Sequence, residues 1–477
     1  MKKKIFTIIS ILLLICSHFI SLGNLGQSNT AVIGTFVATL LLWITVDITW
    51  PSLLCLISLA FIPEVGIKTA LSSSFGNETF AFLLFTFMCT YAISQTSFIK
   101  RTALFFITSS FAKKGPWQMS ILFFLAVLLM GLFISPTVLF FIFYPILQEI
   151  YDILGLKKGD SFAAMLIMGL ILCSNLSAGM TPIAHVFPVL AMGVFSSLTG
   201  QTINYGEYML FGIPTGLILF TLMMLIFKFI MKPSLPQFAG LSKEDFTEGN
   251  LGKISKKEVA TLIVFMFVVL LWVLPSLISS FLPTIASYIS GYGTAMPPLL
   301  GVVLMAIIKV DNQALVNVNE SIVKGVSWPS LIMSSATLLL GACLTNEKIG
   351  FIHQITTMIK PITSSLAPWI LILFFIIWAS LESNISSHMV TAQVVPSVAI
   401  PVALVSVGLI SPAAITAVIG MGASLGSATP PSMPFVAVAC SSEWITTQAV
   451  LKYGLIFTVV VILCLYLIGY PLANLIM

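Results

Sequence analysis

Residues 119–148 read MSILFFLAVLLMGLFISPTVLFFIFYPILQ, an apolar run with Ser135, Pro136 and Thr137 set in its middle. One membrane-crossing helix takes about 20 apolar residues, and a proline in a helix interior removes a backbone hydrogen bond. The run is therefore too long and too broken for one simple helix. A similar pattern recurs further on. Residues 162–198 are apolar but interrupted by Asn175, Gly179 and Thr181-Pro182, and residues 413–440 by Gly426, Thr429, Pro430 and Pro431. A fourth break falls at Ser386-Ser387-His388. In hydrocarbon, non-helical backbone is tolerated only where protein or a water-filled cavity surrounds it.

The rest of the chain sets these breaks in context. Of 477 residues, 58% are apolar and 8% charged, about a third of the usual globular share. So few charges cannot cover a water-facing surface, and disorder needs the opposite composition. The chain reads as an all-α polytopic membrane protein, multi-pass in the cell membrane, with room for roughly a dozen spans. The net charge of +5 fits a cytoplasmic excess of Lys, not a nucleic-acid surface. Lys2-Lys3-Lys4 followed by Ile5 to Cys16 has the look of a signal peptide but no clean cleavage site, and is read as a first membrane helix with its N-terminus inside. The seven cysteines have no metal or redox spacing, and no HExxH, Walker A loop or dinucleotide fingerprint is present. No enzyme, cofactor or resident metal is expected. A channel would need a continuous polar pore lining, whereas this chain has isolated breaks.

The only long polar stretch, 232–258, divides the chain. We expect N-terminal scaffold helices over 1–76, a first repeat over 77–231 and a second over 259–477. The halves resemble one another in three ordered features. Asn77-Glu78-Thr79 and Ser327-Trp328-Pro329 open apolar runs that end in polar clusters. Ser135 and Ser386 each have a proline ten residues on, Pro145 and Pro396. Thr181-Pro182 and Thr429-Pro430 follow. Paired, broken apolar segments in two halves point to the binding site of a secondary transporter. The breaks are rich in Ser, Thr and Gly, suited to holding a carboxylate by hydroxyls and backbone amides, although such residues also serve close helix packing. Arg101 is the only arginine and lies at a run end, so no arginine can clamp an anion in the breaks. His185 and His388 are the basic groups beside them, one in each half. Glu382 lies near His388 and receives no role.

These residues resemble the divalent anion:sodium symporter family of di- and tricarboxylate carriers from about Asn77 onward. The resemblance implies two inverted repeats, each with a re-entrant hairpin and an unwound transmembrane helix, and elevator-type transport by a homodimer. It implies hairpins over 119–148 and 362–410 and broken helices over 162–198 and 413–440. The family's hairpin tips carry Ser-Asn-Thr, for which this chain has Ser135-Pro136-Thr137 and Ser386-Ser387-His388. Its Thr-Pro-Pro-Asn-like signature is matched by Ala428-Thr429-Pro430-Pro431-Ser432 and, in part, by Thr181-Pro182-Ile183-Ala184, with His185 next. Carried over residue by residue, the resemblance implies substrate binding by Ser135, Pro136, Thr137, Thr181, Pro182, His185, Ser386, Ser387, His388, Thr429 and Pro430. Sodium, if bound, falls to Ser135, Thr137, Gly179, Ala184, Asn384, Ser386, Ser387 and Ala428. The family's sodium-binding Asn is replaced by Pro136 and Ser387. Ile385-Ser386-Ser387-His388 is similar instead to the sodium-independent citrate/succinate antiporter branch, whose first-tip Arg is absent here. The leading expectation is a dicarboxylate exchanger or proton-linked carrier with weak or no sodium dependence, in which His185 and His388 supply positive charge. The alternative is sodium symport, with dicarboxylate or sulfate as the anion.

Overall fold

The computed structural model describes residues 2–21, 26–183, 185–238, 240–246, 253–278, 281–346, 348–350, 367–385, 388–406, 408–430 and 432–477. The fold is helical, with a single two-stranded ribbon among the described residues, β1 (Lys309–Val310) against β2 (Gln313–Ala314). The N-terminal third contains α1 (Lys2–Phe19), α2 (Gln27–Thr45), α3 (Thr49–Ala60), α4 (Gly66–Ser73), α5 (Glu78–Ser94) and α6 (Phe98–Ile107). Asn77 starts α5 by accepting a hydrogen bond from the Thr79 N–H.

The residues quoted first form two antiparallel neighbours, α7 (Pro116–Gly131) and α8 (Pro136–Ile153). They are joined at Leu132 to Ser135, so the sequence break becomes a turn between helices. Proline at the first helical position has its φ preset and loses no needed donor, which explains how Pro136 opens α8. Next come α9 (Ser161–Met180) and α10 (Val186–Thr199), separated at Thr181–His185. Then α11 (Tyr205–Ile226) runs into a wide turn, Phe227–Met231. Beyond the polar stretch lie α12 (Lys256–Ile278), α13 (Pro283–Ser290), α14 (Met296–Ile307) and the short α15 (Val318–Glu320). A wide turn, Ser321–Gly325, leads to α16 (Trp328–Thr345).

The last part matches the middle of the chain in outline. It consists of α17 (Pro368–Ile385) and α18 (His388–Val405), then α19 (Pro412–Ser424) and α20 (Pro434–Ser441) with a break from Leu425 to Met433, then α21 (Thr447–Cys464) and α22 (Tyr470–Ile476). The tip between α17 and α18, Ser386-Ser387, and also Ala184 lie outside the described residues.

Among the described residues six helices are long and apolar enough to cross a membrane, or eight if two bent pairs each count as one span. That is fewer than the dozen the composition has room for. The difference is taken up by shorter apolar helices, among them α3, α7, α10, α14 and α19, which pair across turns and breaks. The centre is α9, whose side chains are almost all buried and which packs against α7, α8, α11 and α19. Its Gly169 sits where a Cβ would fall 2.1 Å from the Phe124 ring, so the glycine is needed for α7 to approach. On the outside, Phe19, Ile230, Phe281 and Leu475 are exposed large apolar residues, the surface expected of a protein solvated by lipid tails.

Candidate functional site

In each half, the helical pair and the broken helix are stitched together by one threonine and one histidine. In the first, the Thr181 hydroxyl donates to the Leu132 carbonyl at 2.9 Å, and His185 Nε2 donates to the Gly131 carbonyl at 2.5 Å. In the second, the Thr429 hydroxyl donates to the Asn384 carbonyl, and His388 Nε2 donates to the Gly426 carbonyl at 2.7 Å. The histidine changes side. His185 sits on the break and reaches the α7–α8 turn, while His388 opens α18 and reaches the break.

Both histidines thus have backbone carbonyls as partners. They are buried, 2% and 0% exposed, and neither borders the cavity described below. A carbonyl only accepts, so each Nε2 carries its proton; each Nδ1 is buried without a hydrogen-bond partner. An imidazolium there would leave an unpaired charge in the interior, which costs several kcal/mol. The histidines brace backbone carbonyls.

Asn384 is also committed. Its Oδ1 accepts from the N–H groups of Ser427 (2.8 Å) and Ala428 (2.7 Å), and its Nδ2 donates to the Ser380 carbonyl (2.7 Å) and the Thr458 hydroxyl (3.1 Å). Those two N–H groups are orphaned by the break after α19, and Asn384 holds them in place of a helix. From α9, Asn175 Nδ2 donates to the Gly426 carbonyl (2.9 Å) and the Ser427 hydroxyl (2.8 Å), tying the two halves together. Gly426 admits no side chain, because a Cβ would lie 2.5 Å from the Ser383 carbonyl oxygen. The Gly179 carbonyl accepts the Tyr208 hydroxyl at 2.8 Å.

A cavity of about 560 Å³ lies between these units, a size typical of small-molecule sites. Of the expected substrate residues, Ser135, Pro136 and Thr137 border it; Thr181, Pro182, His185, His388, Thr429 and Pro430 do not. Val186, Phe187 and Met389 take the places beside the histidines, and the Phe187 ring rests edge-on against His388, 5.1 Å between centroids. The first turns of five helices border the cavity: α8 with Pro136 to Val138, α10 with Val186 and Phe187, α16 with Ser330, α18 with Met389 and α20 with Pro434. Each helix N-terminus carries roughly half a positive charge. Apart from Lys324 the described lining carries no charged side chain, and the helix N-termini favour an anion.

The remaining wall comes from α5, with Thr90, Tyr91 and Ser94, and from Lys324 to Ser327. These residues escaped the sequence reading. Lys324 received no reading there, although it lies three residues before Ser327-Trp328-Pro329, the start of one of the paired runs. Among the described residues no group of three or more His, Cys, Asp or Glu side chains could hold a metal ion.

The citrate transporter family matches residues 38–407, more than three quarters of the chain. The chain belongs to that family. It is a multi-pass membrane transporter of the citrate/dicarboxylate type and not an enzyme. The resemblance to divalent anion:sodium symporters stands with this. Among curated relatives, this family member is 24% identical over 465 residues to the sodium-dependent dicarboxylate transporter SdcS of Staphylococcus saprophyticus, covering 92% of this chain and 86% of the relative. Among solved structures it is similar to the YdaH transporter of Alcanivorax borkumensis, with TM-score 0.56 and 12% identity over 86% of this chain and 88% of that one. It is also similar to MtrF of Neisseria gonorrhoeae, described among antimetabolite efflux pumps, with TM-score 0.53 and 15% identity over 99% of this chain and 94% of that one. At such identities the two structures speak for the fold alone.

Proposed function

We propose that the protein carries di- and tricarboxylate anions across the cell membrane by sodium-independent exchange. The observation that carries the reading is the convergence of five helix N-termini on one cavity with no carboxylate in its described lining. Ser135 and Thr137 offer hydroxyls to the substrate, and Pro136 starts α8 beside them. The substrate's charge is met by fixed dipoles, so a bound cation is not required. Pro136 has no side-chain oxygen for sodium, and Asn384 spends both the oxygen and the nitrogen of its amide on the second break. The α7–α8 and α17–α18 pairs and the two broken helices form one carrier unit. In this reading it is built from inverted repeats and moves as an elevator against scaffold helices in a homodimer.

A second reading is sodium-coupled symport. It is favoured by the name of the staphylococcal relative and by Asn175 Oδ1, which is buried without a partner beside the Gly426–Ser427 junction. Ser135, Thr137, Ser386, Ser387 and backbone carbonyls would then hold the ion.

Proteoliposome uptake of labelled succinate, malate, citrate and sulfate separates the two. Uptake that needs unlabelled dicarboxylate inside and ignores sodium supports exchange. Sodium-driven uptake into empty vesicles overturns it in favour of symport, and no uptake of any carboxylate overturns both.

A further inference from the structure

Lys324 is the one charged side chain in the described lining of the cavity, and it comes from the turn Ser321–Gly325, not from the helical pairs or the breaks. Its Nζ lies 2.8 Å from Glu320 Oε1, and the Tyr91 hydroxyl donates to the same oxygen at 3.0 Å. Tyr91 borders the cavity, whereas Glu320 does not. The arrangement is built into the backbone. The turn lies so close to α5 that a Cβ on Gly325 would fall 2.6 Å from Tyr91 Cβ, so the glycine permits the contact. We infer that Lys324 binds a substrate carboxylate and sets the charge preference of the cavity, with Glu320 as the placeholder carboxylate that holds it between substrates. This rests on the reading of the protein as a carboxylate carrier.

The chemistry favours such an exchange. An exposed Lys–Glu pair of this kind is weak, and both side chains here are accessible, 65% and 41% exposed. An entering carboxylate replaces one oxygen anion by another at Nζ, so the ammonium is never left without a partner. The Tyr91 hydroxyl stays on Glu320 and supports it after Lys324 leaves. Lysine suits this task because its charge rides on a flexible four-carbon stem with three donors.

The test has opposite signs built in. Half-saturating concentrations for citrate, succinate and a monocarboxylate are measured twice, by thermal shift of purified protein and by uptake into proteoliposomes. Lys324→Gln should weaken citrate and succinate by about tenfold to a hundredfold, the worth of one charge-assisted hydrogen bond, and citrate most. Glu320→Gln removes the competitor and should tighten both. Tyr91→Phe leaves Glu320 with Lys324 alone and should weaken both modestly. Lys324→Arg should retain most of the affinity. If Lys324→Gln and Glu320→Gln weaken binding together, the pair only supports the turn, and the proposal is overturned. If Lys324→Gln elutes as aggregate, the opposite signs of Glu320→Gln and Tyr91→Phe still decide. Wild-type protein that binds and carries carboxylates while Lys324→Gln shifts neither constant beyond twofold sinks this inference alone. Wild-type protein that takes up no carboxylate sinks the function beneath it.

Discussion

Asn384→Ala should damage the second break more than any other single truncation there. The substitution leaves the N–H groups of Ser427 and Ala428 buried without an acceptor and frees the Ser380 carbonyl and the Thr458 hydroxyl from their shared donor. A buried backbone donor without a partner costs about 1–3 kcal/mol, so the two N–H groups together cost about 2–6 kcal/mol. The lower figure already changes an equilibrium about thirtyfold. Thr458→Val is the graded control. It removes one of the Asn384 bonds and leaves the N–H groups satisfied, for a cost of about 0.5–1.5 kcal/mol. The assay is thermal unfolding of purified protein with and without saturating succinate, beside initial uptake rates. Asn384→Ala should unfold several degrees lower, keep little uptake and respond weakly to succinate, with Thr458→Val in between. An Asn384→Ala protein that unfolds with the wild type and keeps its uptake would refute the view that this amide holds the break.

Further outcomes follow from the same geometry. Gly426→Ala should abolish uptake, because its Cβ meets a backbone carbonyl at 2.5 Å and nothing flexible can yield. Gly179→Ala should be far milder, since its nearest neighbour is the flexible Met421 side chain at 3.1 Å; equal losses in the two uptake assays would contradict this. Replacing His185 and His388 together by Ala should end uptake while the protein still folds. His388→Gln, which can still donate to the Gly426 carbonyl, should keep more uptake than His388→Ala; the reverse order would refute the view that this hydrogen bond is what the ring supplies. Glu443→Gln breaks an exposed contact with Lys158 and should leave both the unfolding temperature and uptake unchanged.

Much of the fold was legible because membrane chemistry leaves few choices. A chain this apolar must be helical, and Ser, Thr, Gly and Pro inside its apolar runs mark where the helices stop. Ser135-Pro136, Thr181-Pro182 and Thr429-Pro430 all fall at helix ends or in breaks. What the sequence could not convey was the direction of a side chain. His185 and His388 stand at the breaks as read, yet their rings turn to the Gly131 and Gly426 carbonyls, and Val186, Phe187 and Met389 border the cavity beside them. Nothing in the local pattern separates those outcomes, because a residue at the start of a helix can point to either side. Asn175 was visible as an interruption in an apolar run, but its partners lie about 250 positions away, at Gly426 and Ser427. Lys324 was missed for the same reason. Its place at the cavity depends on α5, more than 200 residues earlier, packing against its turn.

The charge balance of the cavity bears on why exchange is the better reading. Five helix N-termini at roughly half a charge each supply about two and a half positive charges, close to the two negative charges of a dicarboxylate. Bound there, the anion meets compensating dipoles in place of water, although dipoles add no net charge and the loaded carrier still bears the charge of its cargo. The empty cavity leaves those N-termini without an anion, and the proposed exchange reading takes that to disfavour an empty return step. A sodium-coupled carrier escapes this through cations that leave with the substrate. On the proposed exchange reading the compensation is built into backbone and cannot leave, so the return step would need a second anion. A third carboxylate exceeds what the dipoles offset, and Lys324, once released from Glu320, supplies the missing charge. On this logic succinate exchanges without Lys324, though more weakly, whereas citrate depends on it.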